Sequence, residues 1–185
     1  LNHENMRKGL GKTLLHIGDM ICRLYLTVIR GTPVVVQLMI IYFVILVNVD
    51  NGLLVASLAF GLNSAAYVAE IIRGGIMSIA QGQMEAGRSL GFGYVATMRH
   101  IILPQAIKNI LPAIANEFVV IIKESAVCWT IGVQEIMYAV SSTKGATYRI
   151  AEPLVIATLL YFCLCFPTSK IIAYFERRMS RGNKR

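Results

Sequence analysis

The chain reads as an all-α, polytopic membrane helix bundle, and three observations predict it. Hydrophobic residues make up 56% of the 185 and charged residues only 15%, more apolar surface than a soluble domain of this size can hide, so the excess faces lipid. The apolar residues gather into runs near the length of about 20 residues that a helix needs to cross a hydrocarbon core. The charges, net +8, collect at the ends of those runs, which argues against a nucleic-acid partner and for contact with membrane lipid.

Residues 1–32 form a cytoplasmic amphipathic segment. Leu14, Ile17, Ile21, Leu24, Tyr25 and Val28 recur at helical spacing, while Lys12, His16, Asp19 and Arg23 fall on the opposite side. Thr32 followed by Pro33 predicts a helix start, the hydroxyl capping free amides and the proline suiting the first turn. The first span then covers about 33–49. Asp50, Asn51 and Gly52 make a polar turn, and a second span at 53–72 crosses back, so that the two form a hairpin. From 73 to 103 the sequence turns mixed, with Gly74, Gly75, Gly82, Gly87, Gly91 and Gly93 separating short helical pieces, which predicts a loop outside the bilayer. A third span follows at 104–122, bent at Pro112 and ended by Lys123 and Glu124. Residues 127–140 are apolar but too short to cross and predict a re-entrant or interfacial piece. The fourth span covers 153–172, and a basic tail occupies 177–185.

Orientation follows from Lys and Arg. Five precede the first span, four lie between Arg73 and Lys108, and six follow from Lys170 onward, against three on the other side, Lys123, Lys144 and Arg149. Positive residues stay in the cytoplasm, so the N-terminal segment, the long loop and the C-terminus are expected inside. The four cysteines, Cys22, Cys128, Cys163 and Cys165, lack the spacing of a zinc site and predict buried thiols. No phosphate-binding G-x-x-x-x-G-K-[ST] loop occurs, so any ATP is bound by another chain.

The loop carries the most specific pattern. Glu85-Ala86-Gly87 is followed by Gly91, then Ile101, then Leu103-Pro104, and this resembles the signature loop of permease subunits of bacterial ABC importers. Glycine stands at position 87 where the family carries alanine. Physically, Ala86 and Gly87 offer a small-residue face that permits close approach of a partner. Gly91 permits a sharp turn, a second short helix from about Tyr94 brings Ile101 back to the membrane, and Pro104 starts the next span. Further stretches resemble the polar amino acid branch of the family: Arg30-Gly31-Thr32-Pro33 with Gln37, 66–70 with 73–76, Gly82-Gln83, 103–106, Pro112, Asn116, Phe118, Lys123-Glu124-Ser125, and 132–135.

This resemblance implies a type I importer permease (MetI-like) fold over 33–176, whose first span, ahead of the Arg-Gly-Thr-Pro segment, is missing here; truncation is the expected explanation. It implies residence in the bacterial cytoplasmic membrane and uptake of a polar amino acid by alternating access. The implied partners are ABC ATPase subunits, which hold ATP and Mg, a second permease subunit, and an extracytoplasmic solute-binding protein. Glu85 is then the acidic residue anchoring the docking helix. The permease itself binds no cofactor and catalyses no chemistry.

Polar groups within spans are costly in lipid and tend to face the bundle interior or a water-filled path. Gln37, Asn63, Glu70, Asn116, Glu117, Lys123 and Glu124 are the candidates for the substrate path. Glu117 is the sharpest, a carboxylate deep in the third span that suits the cationic part of an amino acid, with interhelical hydrogen bonding as the competing role. Two other functional classes stay open: a channel or passive facilitator, which has no use for an ATPase-docking loop, and an inactive truncated permease.

Overall fold

The computed structural model describes the backbone of residues 3–181 and the side chains of 13–178. The side chain of Lys12 and the last four residues of the basic tail lie outside these. In chain order the helices are α1 (His3–Gly31), α2 (Val34–Ile40), α3 (Gly52–Met77), α4 (Gln81–Ser89), α5 (Tyr94–Thr97), α6 (Leu103–Glu124), α7 (Ile136–Thr147) and α8 (Ala151–Arg181). Two π-helical turns, Ile41–Ile45 and Met98–Ile102, and one 3-10 turn, Ser125–Ile131, lie between them.

α2 and its π-turn run antiparallel to α3, placing Gln37 beside Asn63 and Tyr42 beside Gly52. Asn51 begins α3, its side chain accepting the Leu54 N–H at 3.1 Å, as suits a short polar residue at a helix start. The helical part of the expected first span stops at Ile45. The 19 residues Thr13–Gly31 and the segment Val34–Ile45 meet at a bend of 110°, with Pro33 at the corner. Thr32 does not cap α2. Its hydroxyl donates back to the Val28 carbonyl of α1 at 2.8 Å and accepts from the Gln37 side chain, because the bend places it over α1's last turn.

Among the described residues, two helices are long and apolar enough to cross a membrane, Gly52–Met77 and Ala151–Arg178, and a third span exists if the bent pair counts as one. α6 is 22 residues long but carries Gln105, Lys108, Asn109, Asn116 and Glu117. It tolerates them because it packs on both α3 and α8 rather than facing lipid all round. Close approach of α3 and α6 depends on Gly75: a Cβ there would sit 2.2 Å from Ile110 Cγ1.

The expected second short helix and the third span are one uninterrupted helical run, α5, the π-turn and α6. Pro104 has no N–H to offer the His100 carbonyl, and its ring crowds that group. The turn ahead of it widens instead of breaking, and the Leu103 N–H reaches five residues back to Met98.

The segment after α6 folds against the α2–α3 hairpin. Cys128 and Ile131 join Leu38, Ala56 and Ala59 in one buried cluster, and Gly132 ends the turn with φ +79°. Glu135 then caps α7, accepting the N–H groups of Met137 and Tyr138 at 2.8 and 2.7 Å, and the Tyr161 hydroxyl of α8 donates to it at 2.8 Å. Of the cysteines only Cys128 is buried; Cys22 and Cys163 are exposed and Cys165 half-buried. The expectation of buried thiols fails because the outside of a membrane bundle is as apolar as its inside, so apolar neighbours in sequence do not signal burial.

Candidate coupling loop and substrate path

α4 ends in a tight glycine cap. Gly91 adopts φ +88°, its N–H bonds to the Arg88 carbonyl, and the Phe92 N–H bonds to the Gly87 carbonyl. This is the paired bonding of a Schellman cap, which a residue with a Cβ resists. Two faces of α4 result. Glu85 and Ala86 are exposed, and the Glu85 carboxylate pairs with none of the described residues; the Glu85–Arg88 pair that their spacing allows is not made.

Gly87 points the other way. It is buried, and a Cβ on it would come within 2.5 Å of Thr97 Cγ2 and 3.0 Å of Ile101 Cδ1. The close approach it permits is to the chain's own α5 and π-turn, so only Ala86 of the two small residues is available to a partner. Ile101 is half-buried behind it, and Leu103 and Pro104 open α6. Two polar contacts brace the loop on the spans: the Gln105 side chain donates to the Ile101 carbonyl at 2.7 Å and reaches Gln83 of α4 at 3.4 Å, and Asn109 donates to Ser78 at 2.9 Å. Sequence reasoning missed Thr97 and Asn109, which carry no signal until α4 and α6 are placed. On either side of Gly91, Leu90, Phe92, Tyr94 and Val95 are exposed, Leu90 and Val95 by about three-quarters of their surface, 77% and 76%.

The expected path residues separate into two groups. Gln37 and Asn63 are committed to the chain itself. Asn63, buried, donates to Gln37 Oε1 at 2.9 Å, and the two hydrogens of Gln37 Nε2 serve the Ile29 carbonyl at 2.7 Å and, shared, the Thr32 carbonyl and hydroxyl at 3.0 and 2.8 Å. This network ties α1, α2 and α3 at the 110° bend. Glu70 is likewise held, bidentate to Arg73 at 2.7 and 3.0 Å and within 3.3 Å of Arg30. By contrast, Asn116 is exposed, and Glu117 is half-buried with its carboxylate close to Ser64 of α3. Lys123 is exposed, Glu124 half-buried, and the two form no ion pair with each other. Asn116, Glu117 and the end of α6 are therefore not tied into the α1–α2–α3 network.

Residues 14–181 match the family described as binding-protein-dependent transport system inner membrane component. The chain belongs to that family. This permease is similar to the arginine transport system permease protein ArtQ of Bacillus subtilis, 44% identical over 163 residues that cover 86% of this chain and 74% of ArtQ. It is also similar to the putative glutamine transport system permease protein GlnP of Rickettsia typhi, 39% identical over 84% of this chain and 72% of that one. A solved structure, described as the crystal structure of an amino acid ABC transporter with histidines, superposes on it with a TM-score of 0.81 at 43% identity, covering 86% of this chain and 75% of that one. The all-helical permease fold is thus shared with that solved transporter, and the permease belongs to a family of inner membrane transport components.

Proposed function

We propose that this permease imports a polar amino acid, driven by ATP hydrolysis on separate ATPase subunits that dock on the loop between α3 and α6. The observation that carries the reading is the loop's outer surface: an unpaired carboxylate at Glu85, a small residue at Ala86 and the exposed apolar group Leu90, Phe92, Tyr94 and Val95. Contiguous exposed apolar surface outside a bilayer marks a protein partner. The same loop is braced on α6 through Gln83–Gln105 and Ser78–Asn109, so movement of a docked subunit reaches the spans directly. ATP and Mg belong to that partner, and two copies of the permease, or this chain with a related one, enclose the path that a solute-binding protein supplies.

Substrate class rests on the relatives, which are named for arginine and glutamine transport, together with the carboxylate of Glu117. The loop and the C-terminus face the cytoplasm, from the fifteen-to-three division of Lys and Arg. Co-purification with the partner ATPase tests the reading. Glu85→Lys and Gly91→Trp are expected to insert normally and lose the ATPase; retention of the ATPase by both would move the docking surface away from this loop, and failure of the unaltered chain to retain an ATPase would favour a passive facilitator.

A further inference from the structure

α1 has three faces. Tyr25 and Ile29 pack towards α3, the Tyr25 hydroxyl donating to the Leu62 carbonyl. Leu14, Ile17, Ile21, Leu24 and Val28 form an apolar stripe that no described element covers, exposed by between 45% and 64%. Arg23, Thr27 and Arg30 share the third face, spaced four and three residues apart. Between this face and α3 lies an open pocket of about 500 Å³, lined by Arg23, Leu26, Thr27, Arg30, Gly31 and Glu70.

The charges of this pocket do not cancel. Glu70 is taken up bidentately by Arg73, so its contact with Arg30 at 3.3 Å leaves most of the Arg30 charge uncompensated. The Arg30 guanidinium is steadied over the Tyr67 ring, 5.8 Å from its centroid. Arg23 engages Asp19 through Nε alone, at 2.8 Å, and its two terminal amino groups have no partner among the described residues. Three guanidinium groups thus stand against two carboxylates, with planar donors turned to an open space.

We propose that this pocket binds the phosphate of an anionic phospholipid, the acyl chains lying along the uncovered apolar stripe of α1. A helix with one apolar and one basic face lies in the membrane interface, and the boundary between the two faces sits at headgroup depth. A guanidinium fork matches phosphate oxygens better than a point charge does. The carboxylate of Glu70 at the rim excludes a second anion and sets the pocket's capacity at one phosphate. The bound lipid holds α1 against α3 beside the Gln37–Asn63 network, which stabilises the bend that opens α2.

The test uses the full chain extracted from vesicles containing equal amounts of phosphatidylglycerol and phosphatidylcholine, with retained lipid identified by native mass spectrometry. Phosphatidylglycerol is expected to be retained about fivefold over phosphatidylcholine, the effect of roughly one basic residue near a membrane surface. Arg23→Gln and, independently, Thr27→Glu are expected to bring the ratio near one. An excess of inorganic phosphate is expected to leave the retained lipid in place; its displacement would assign the pocket to a free anion instead. Equal retention of the two lipids by the unaltered chain, or an unchanged preference in both variants, would overturn the proposal. None of these readouts depends on transport or on ATPase docking.

Discussion

Single residues decide whether the loop is rigid. Gly87 occupies the place of the family's alanine, and the space an alanine needs is filled by Thr97. Gly87→Ala is expected to lower stability by about 1–3 kcal/mol, the usual cost of overpacking, and Thr97→Ala in the same chain to recover much of it, since contacting residues do not add independently. Thermal unfolding of the purified single and double variants checks this; no recovery would mean that Thr97 is not the obstacle. Glu117 is the residue to examine in the path. Glu117→Gln keeps the Ser64 contact and removes the charge, so uptake of a cationic amino acid is expected to fall at least tenfold while ATPase docking is unchanged. Unaltered uptake would reduce Glu117 to a helix-packing group.

Among elements, the joint between α3 and α6 and the run from α5 into α6 connect the loop to the spans. Gly75 allows α3 and α6 to meet at Ile110, so Gly75→Leu is expected to separate the helices and abolish assembly, whereas Gly75→Ala paired with Ile110→Val is expected to be tolerated. Expression and detergent stability of the three chains distinguish the outcomes. The π-turn Met98–Ile102 exists because of Pro104. Pro104→Ala restores the missing N–H and lets the turn tighten, rotating α4 and α5 relative to α6 by roughly one residue, about 100°. Hydrolysis by the docked ATPase is expected to persist while uptake falls; uptake at the normal rate would show that the widened turn has no part in transmission.

For the whole molecule, the question is which surfaces face lipid, water and partners. Apart from the side that packs on α6 and α7, α8 is almost wholly exposed, so its outer side meets lipid or a protein partner, while α6 carries both exposed polar groups, Lys108, Asn109 and Asn116, and the half-buried Gln105 and Glu117. Cysteines introduced at Ser89 and Ser142 in a chain whose own cysteines are replaced report the orientation. Ser89 is expected to react with a membrane-impermeant maleimide only after the membrane is opened, and Ser142 in intact cells. The reverse pattern would invert the charge-based orientation.

Composition and periodicity sufficed for an all-helical membrane protein, and the spacing Glu85, Gly91, Ile101, Pro104 for the loop and its family, because both are local properties written along one strand of sequence. Gly91 is legible in the same way, since a positive φ is a backbone demand of one residue. What side chains do to one another is not local. Gly87 reads as a docking face until α5 is folded behind it, Gln37 and Asn63 read as path residues until the 110° bend brings them 2.9 Å apart, and Pro104 reads as a helix start until the widened turn shows a continuous helix. The sequence by itself determined what kind of protein this is and to which family it belongs. Only the tertiary structure decided which polar groups are spent holding helices together and which are left to meet a substrate, a lipid or a partner, because hydrogen bonds and close packing join residues far apart in the chain.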